Sequence, residues 1–148
     1  MIDSLELVGN VIDGKYRVES VVGEGGFASV YKATHLVWKR PVALKVFRAL
    51  GSIGERERQS LLDAFTQEGA LLAELSERTT GICQARDAGA FATARGERIP
   101  YIVLEWLEGT SLAERLEVEA AQKRAPRTIA EAVALLSPAA EALALAHR

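Results

Sequence analysis

Cysteine and histidine are almost missing from this chain. Cys83 is the single cysteine, which excludes an internal disulfide and a cysteine-based metal site; alone, it reads as a small buried apolar residue. The two histidines, His35 and His147, lie far apart in sequence and support neither a metal site nor a histidine-dependent triad, and His147 is expected to pack at a helix end. An excess of either charge is also lacking: 18 Lys and Arg against 20 Asp and Glu leave a net charge of -2, which speaks against nucleic-acid binding by bulk charge. No uninterrupted apolar run approaches the ~20 residues that cross a bilayer. Met1–Glu6 has neither the basic start nor the apolar stretch of an export signal. These absences predict a soluble, cytoplasmic chain with no membrane segment and no nucleic-acid partner. The 148 residues contain no repeat and no low-complexity segment, and the length suits one ordinary domain with a real core.

What the chain does have is a glycine cluster between two apolar runs, Val21-Val22-Gly23-Glu24-Gly25-Gly26-Phe27-Ala28-Ser29-Val30-Tyr31. Glycine tolerates positive φ and lets a backbone approach a bulky ligand, most often phosphate. Tyr16–Val22 is rich in β-branched residues and reads as a strand, preceded by the turn chemistry of Asp13-Gly14. Ser29–Ala33 reads as the returning strand and Thr34–Pro41 as a connection that proline keeps from being helical. Val42–Phe47 reads as a third strand, whose period of two sets Ala43 and Lys45 on one face and Val42, Leu44 and Val46 on the other.

After a glycine-punctuated loop at Ala49–Gly54, a helical pattern runs from Glu55 to Leu75, with Leu61, Phe65, Leu72 and Leu75 on one stripe. Glu68 falls on that stripe, where a buried carboxylate is costly unless a cation meets it. Ile82–Phe91 and Tyr101–Leu107 read as strands about a hairpin tip at Thr93–Arg98. Ser111-Leu112-Ala113-Glu114 is a capping box opening a helix. Thr128–Arg148 reads as a last helix with an apolar stripe at Ile129, Val133, Leu136, Ala140 and Leu143, kinked at Pro138.

Three arrangements use glycines against phosphates. A Walker loop needs Gly-x4-Gly-Lys-Ser/Thr before a helix, and no such run follows Gly23. A dinucleotide fingerprint matches Gly23, Gly25 and Ala28, yet it requires a helix directly afterwards, where strand residues stand instead. The third is the protein kinase lid, and here several motifs occur in that family's order. Gly23–Tyr31 resembles its glycine-rich hairpin and Ala43-Leu44-Lys45-Val46 its Val-Ala-Ile-Lys strand. Phe65-Thr66-Gln67-Glu68 resembles the helix bearing its ion-pair glutamate. Tyr101–Gly109 is similar to its hinge, and His147-Arg148 resembles the end of the helix before its catalytic loop. From Lys15 onward the chain resembles a bacterial serine/threonine protein kinase of the eukaryotic type.

The resemblance implies an α+β fold: a kinase N-lobe, an antiparallel sheet with one long helix, over residues 15–107. Residues 1–14 would precede it as an extension, and residues 108–148 would be the first helices of an incomplete C-lobe. It implies that Lys45 and Glu68 are the catalytic positions present, paired with each other, with Lys45 also meeting the α- and β-phosphates of ATP. The lid from Val22 through Gly23, Glu24, Gly25, Gly26 and Phe27 to Ala28 would cover the triphosphate, with Ala28 standing where the family has its third glycine. Val30 and Ala43 would flank the adenine, and Leu104 would sit at the gatekeeper position. The Glu105 carbonyl and the Leu107 amide would read the adenine edge, and Ser111 would reach the ribose or cap its helix.

Neither a His-Arg-Asp loop nor an Asp-Phe-Gly segment occurs in the sequence, so the Mg2+ ligands of the family are expected in a parent protein and no metal site in this chain. The expectation is a fragment of a kinase that would transfer the ATP γ-phosphate to serine or threonine of an unknown protein substrate, inactive by itself. The exposed apolar stripe of the last helix is expected to permit self-association. A pseudokinase or regulatory nucleotide-binding module is the alternative, and a dinucleotide-binding oxidoreductase the remote one.

Overall fold

The computed structural model describes residues 3–48, 54–93 and 96–147. Positions 49–53 of the expected glycine-punctuated loop, positions 94 and 95 of the expected hairpin tip, and Arg148 lie outside them. The chain divides into two units, Met1–Trp106 and Leu107–Arg148.

Among the described residues of the first unit, six strands form one sheet: β1 (Val11–Ile12), β2 (Tyr16–Glu24), β3 (Ala28–His35), β4 (Arg40–Phe47), β5 (Ala85–Ala92) and β6 (Arg98–Glu105), in the order β1-β2-β3-β4-β6-β5. Every pairing is antiparallel. The turn from β1 to β2 is the Asp-Gly kind, with Asp13 at φ 51 and Gly14 at φ 65, which suits the right-handed twist of a hairpin. β3 and β4 run further than the composition suggests, so the connection between them shrinks to residues 36–39. Pro41 sits inside β4, opposite Thr34 of β3. It is tolerated because β4 meets β6 only from Val42 onward, so no ladder bond needs the missing amide. Pro100 in β6 follows the same rule: it faces Ala90 of β5 and lies beyond the last pairing with β4, at Tyr101.

The alternation expected in β4 holds: Val42, Leu44 and Val46 are buried while Ala43 and Lys45 are half-buried. The buried face joins Tyr16, Val18, Tyr31, Ala33, Tyr101 and Val103 in one core. All three tyrosines of the chain are buried there, and a buried phenol needs a hydrogen-bond partner. Each donates to an aspartate distant in sequence: Tyr16 to Asp87 at 2.8 Å, Tyr31 to Asp3 at 2.8 Å and Tyr101 to Asp13 at 2.5 Å. Two of these bonds tie the β1–β2 end of the sheet to β5 and β6, and Lys15 adds an ion pair to Asp87 at 3.5 Å. The sheet thus curls on itself, its far strands joined by side chains rather than by a ladder.

These bonds set a pH dependence. Burial works to raise the carboxyls of Asp3 and Asp87, but hydrogen bonds from Val8 and Tyr31 to the first, and from Tyr16 and Ala88 to the second, leave both below the usual range. A lowered carboxyl contributes stability that is complete above its unfolded pKa of about 3.9 and is lost as pH falls through the folded value. Burial, then the hydrogen-bonded carboxylate, raises all three phenols. That contribution is complete below the unfolded value of about 10 and is lost as pH rises through the folded one. The melting temperature, followed by circular dichroism, should therefore be flat from about pH 5 to 9 and fall beyond both ends; a fall confined to the alkaline side would contradict the aspartate pairing.

One long helix, α1 (Glu55–Arg78), packs on the sheet. Glu55 and Glu57 complement its dipole at the start and Arg78 at the end. Phe65 meets Phe47 of β4 edge to face at 5.6 Å, and Gly69 lies so close to β6 that an added Cβ would be 2.9 Å from Ile102 Cδ1.

The second unit holds α2 (Leu112–Ala121) and α3 (Ile129–Ala146). Both open with capping boxes, Ser111 with Glu114 and Thr128 with Glu131; the second has the same Ser/Thr-x-x-Glu spacing as the first. Between the helices Glu119 gathers Arg115, Arg124 and Arg127, the last at 2.6 Å. The apolar stripe of α3 is exposed, with Ile129, Val133, Leu136 and Leu143 all open to solvent. By length and composition alone α3 is long and apolar enough to cross a membrane. A count of uninterrupted apolar runs misses this, because Glu131 and Glu141 break the run without lowering its average far. Two further expectations fail: Cys83 is half-buried, and His147 is an exposed C-cap rather than a packing residue. No local pattern told the exposure of either.

Candidate functional site

Residues directly opposite on paired strands share a face of the sheet, so the register shows which predicted residues meet. Gly23 of β2 stands opposite Val30 of β3, Val30 opposite Lys45 of β4, and Lys45 opposite Ile102 of β6. The neighbouring row runs Lys32, Ala43, Leu104 and Ala85. Gly23, Val30, Ala43, Lys45 and Leu104 therefore lie on one face, opposite to the tyrosine core. Val22 is the odd residue: the register slips between Val21 and Gly23, leaving Val22 in a bulge, and bulges re-aim side chains and sharpen the local twist.

The hairpin tip is closed by the Gly25 amide donating to the Ala28 carbonyl at 2.8 Å. None of the three hairpin glycines is at positive φ, which among the described glycines occurs at Gly9, Gly14, Gly96 and Gly109. Conformational freedom thus does not require glycine at the tip, and neither does crowding by the rest of the fold. A Cβ on Gly26 would meet nothing within 4 Å, and one on Gly23 only the Val30 side chain at 3.8 Å, so these positions leave a cradle that side chains would fill. Phe27 is exposed at the tip and Ala28 is buried at its base, opposite Phe47. Glu24 points to Arg48 at 3.6 Å.

Lys45 reaches Glu68 of α1 at 2.5 Å, so the strand and the helix present their two charged anomalies to each other. The pair is more open than the apolar stripe suggests: the Lys45 side chain is 24% exposed and that of Glu68 46%. The reason is that α1 buries little beyond Phe65 and Leu75, so Glu68 faces the sheet at the rim of the contact. A pair this exposed adds about 1 kcal/mol or less to stability, and the cost of burying charge does not explain it. What the openness does provide is access: an ammonium that spends one donor on Glu68 has donor capacity to spare.

Glu105, at the end of β6, is occupied by its neighbours. Its amide donates to the Gln84 carbonyl and its carboxylate accepts from the Gln84 amide, each at 2.9 Å, while Arg86 lies 3.7 Å from the other oxygen. Its carbonyl accepts from the Cys83 thiol at 3.8 Å, and burial, with the nearby Glu105 charge, pushes that thiol's pKa up. Leu107 and Ser111 belong to the second unit. There Leu107 is exposed, and Ser111 caps α2 by accepting from the Glu114 amide at 3.2 Å. Lys32 went unnoticed in the sequence although it shares the face of Ala43. Its ammonium lies 5.0 Å from the centre of the Trp106 ring, a cation–π distance, and the period of two along β3 from Val30 was the signal available.

The residues of this face fit a polyphosphate nucleotide: Gly23 at the base of the open hairpin tip, a half-buried ammonium at Lys45, and small or branched apolar residues at Val30, Ala43 and Leu104 for a flat ring. For a divalent ion the first unit offers less, because among the described residues no three His, Cys, Asp or Glu side chains are grouped to hold one.

No family model matches the chain. Curated relatives do. Over 138 residues, 93% of the chain, it is 30% identical to the serine/threonine-protein kinase PknL of Mycobacterium bovis. It is 31% identical over 139 residues to the PknA kinase of Corynebacterium glutamicum and 28% identical over 142 residues to PrkC of Bacillus subtilis. The chain spans 31%, 27% and 19% of the length of those relatives. The resemblance to eukaryotic-type kinases of bacteria thus extends along nearly the whole chain, and the six-stranded antiparallel sheet with its long helix fits the N-lobe of that fold.

Proposed function

We propose that this chain, similar along nearly all its length to bacterial serine/threonine protein kinases, is the ATP-holding portion of such a kinase. The observation that carries the reading is the pairing of Lys45 with Glu68 on the face that also presents Gly23, Val30 and Ala43. In this reading the glycine hairpin offers backbone amides to the phosphates, and Lys45 meets them as a compact point charge. Glu68 keeps the Lys45 ammonium aimed along the sheet. Val30, Ala43 and Leu104 enclose the adenine, with the Glu105 carbonyl reading its edge.

ATP supplies the γ-phosphoryl group, and the longer protein would pass it to serine or threonine of a protein substrate in the cytoplasm, with Mg2+ held by aspartate and asparagine residues of that longer protein. This chain contributes binding and orientation and no group that activates a hydroxyl, so by itself it does not turn over. The exposed face of α3 is left for the rest of such a protein or for a second copy.

Isothermal titration of the chain with ATP and with NAD, in magnesium buffer, tests the proposal. ATP and ADP should bind with similar affinity and compete, while NAD should not bind. Binding of NAD in preference to ATP would overturn the reading; β3 spans Ala28–His35, where a dinucleotide fold needs a helix. Robust transfer from ATP to a generic protein substrate would contradict the inactivity of the chain alone.

A further inference from the structure

We propose that residues 3–10 brace the back of the glycine hairpin, with Asp3 as the positioning residue that sets where the hairpin rests above Lys45. The consequence for nucleotide rests on the function proposed above; the brace itself is a matter of the fold. The hairpin cannot hold its own position. Its tip is Gly25 and Gly26, the second with open space around it, and Phe27 is exposed. Its placement must come from contacts to its arms, and the N-terminal segment supplies them.

On β3, the returning arm, Tyr31 turns its ring away from the Lys45 face, is fully buried, and donates its hydroxyl to Asp3 Oδ1 at 2.8 Å. The other oxygen of the same carboxylate accepts the Val8 amide at 2.8 Å. One side chain therefore closes the segment into a loop and fastens that loop to the hairpin. On β2, the leading arm, Ser4 donates to Glu24 Oε1 at 3.4 Å, and Glu24 lies 3.6 Å from Arg48. Arg48 completes the circuit, its amide donating to the Phe27 carbonyl at the tip at 2.7 Å.

The segment is itself anchored, so it can act as a fixed point. Leu7 is buried in the core with Leu5 packed against it, the Gly9 amide donates to the Val18 carbonyl and the Val18 amide to the Asn10 carbonyl, each at 2.9 Å. Both arms and the tip are thus referred to residues 3–10 and to the end of β4, the strand that carries Lys45. Loss of Asp3 would free the arm on which Val30 stands and let the cradle drift relative to the ammonium.

Hydrogen–deuterium exchange on the chain without nucleotide, followed by ATP titration, tests the brace. Asp3→Ala and Tyr31→Phe should each speed exchange of the amides of residues 23–30 by about tenfold, the weight of one charge-assisted hydrogen bond, with β6 unchanged. The double variant should add nothing to Asp3→Ala, because the bond that Tyr31→Phe removes is already gone. Should Asp3→Ala not fold, Asp3→Asn serves, with a smaller acceleration confined to the same amides. Unchanged exchange at residues 23–30, or an equal acceleration throughout the first unit, would overturn the brace and leave Asp3 an ordinary packing contact. If the unaltered chain binds no ATP, the proposed function fails, and the exchange pattern still decides the brace.

Discussion

Lys45→Met should lower the affinity of the chain for ATP by roughly 10- to 100-fold while leaving the fold standing. The size follows from what is lost, one or two charge-assisted hydrogen bonds to phosphate at about 1.5–3 kcal/mol. The fold survives because methionine keeps the stem volume and Glu68, at 46% exposed, can turn to water once its partner is gone. An ion pair so open contributes about 1 kcal/mol at most, so the melting temperature should move little. Glu68→Gln should weaken ATP less, since the ammonium remains and only its aim is loosened. Titration of both variants, with thermal melts as the control for folding, separates the two roles. Equal ATP affinity in Lys45→Met and the unaltered chain would remove Lys45 from the site.

The largest expected effect on stability comes from a single added methyl. A Cβ at Gly89 of β5 would lie 2.6 Å from the Tyr101 hydroxyl oxygen and 2.7 Å from the ring carbon that carries it. That ring cannot step aside: it is 1% exposed and tied to Asp13. Gly89→Ala must either displace the ring in a packed core or break its bond to Asp13, and overpacking plus a broken hydrogen bond to a carboxylate amounts to about 2–4 kcal/mol. Urea denaturation of the first unit measures it. Gly69→Ala is the milder comparison, because its Cβ would meet Ile102 at Cδ1 (2.9 Å) and Cγ1 (3.2 Å), whose outer methyl can turn aside, and it gains up to about 1 kcal/mol of helix propensity. Near-neutral Gly69→Ala beside a large loss in Gly89→Ala is the expected pattern. Similar effects at the two sites would mean that Tyr101 is not a rigid post.

Much of the fold and of the candidate site is legible in the sequence. Faces of strands follow from a period of two, so Ala43 and Lys45 separate from Val42, Leu44 and Val46 by counting alone. The capping box at Ser111 rests on a fixed local spacing and is equally readable. The lengths of β3 and β4 are not, because Pro41 bars a strand only where a neighbour needs its amide, and which neighbours a strand has is a matter of sheet order.

Local periodicity and motif spacing, both encoded within a few residues, determined the strands, the long helix and the choice of the hairpin, Lys45 and Glu68 as candidate site residues. Tertiary structure decided everything that depends on how far the sheet curls. That curl brings Asp13 to Tyr101, Asp87 to Tyr16 and Asp3 to Tyr31, across 88, 71 and 28 residues. It also leaves Glu68 at the rim of its contact rather than beneath it. A hydrogen bond between residues so far apart has no sequence period; it exists only because packing has placed two groups that cannot be left unpaired at the same point in space.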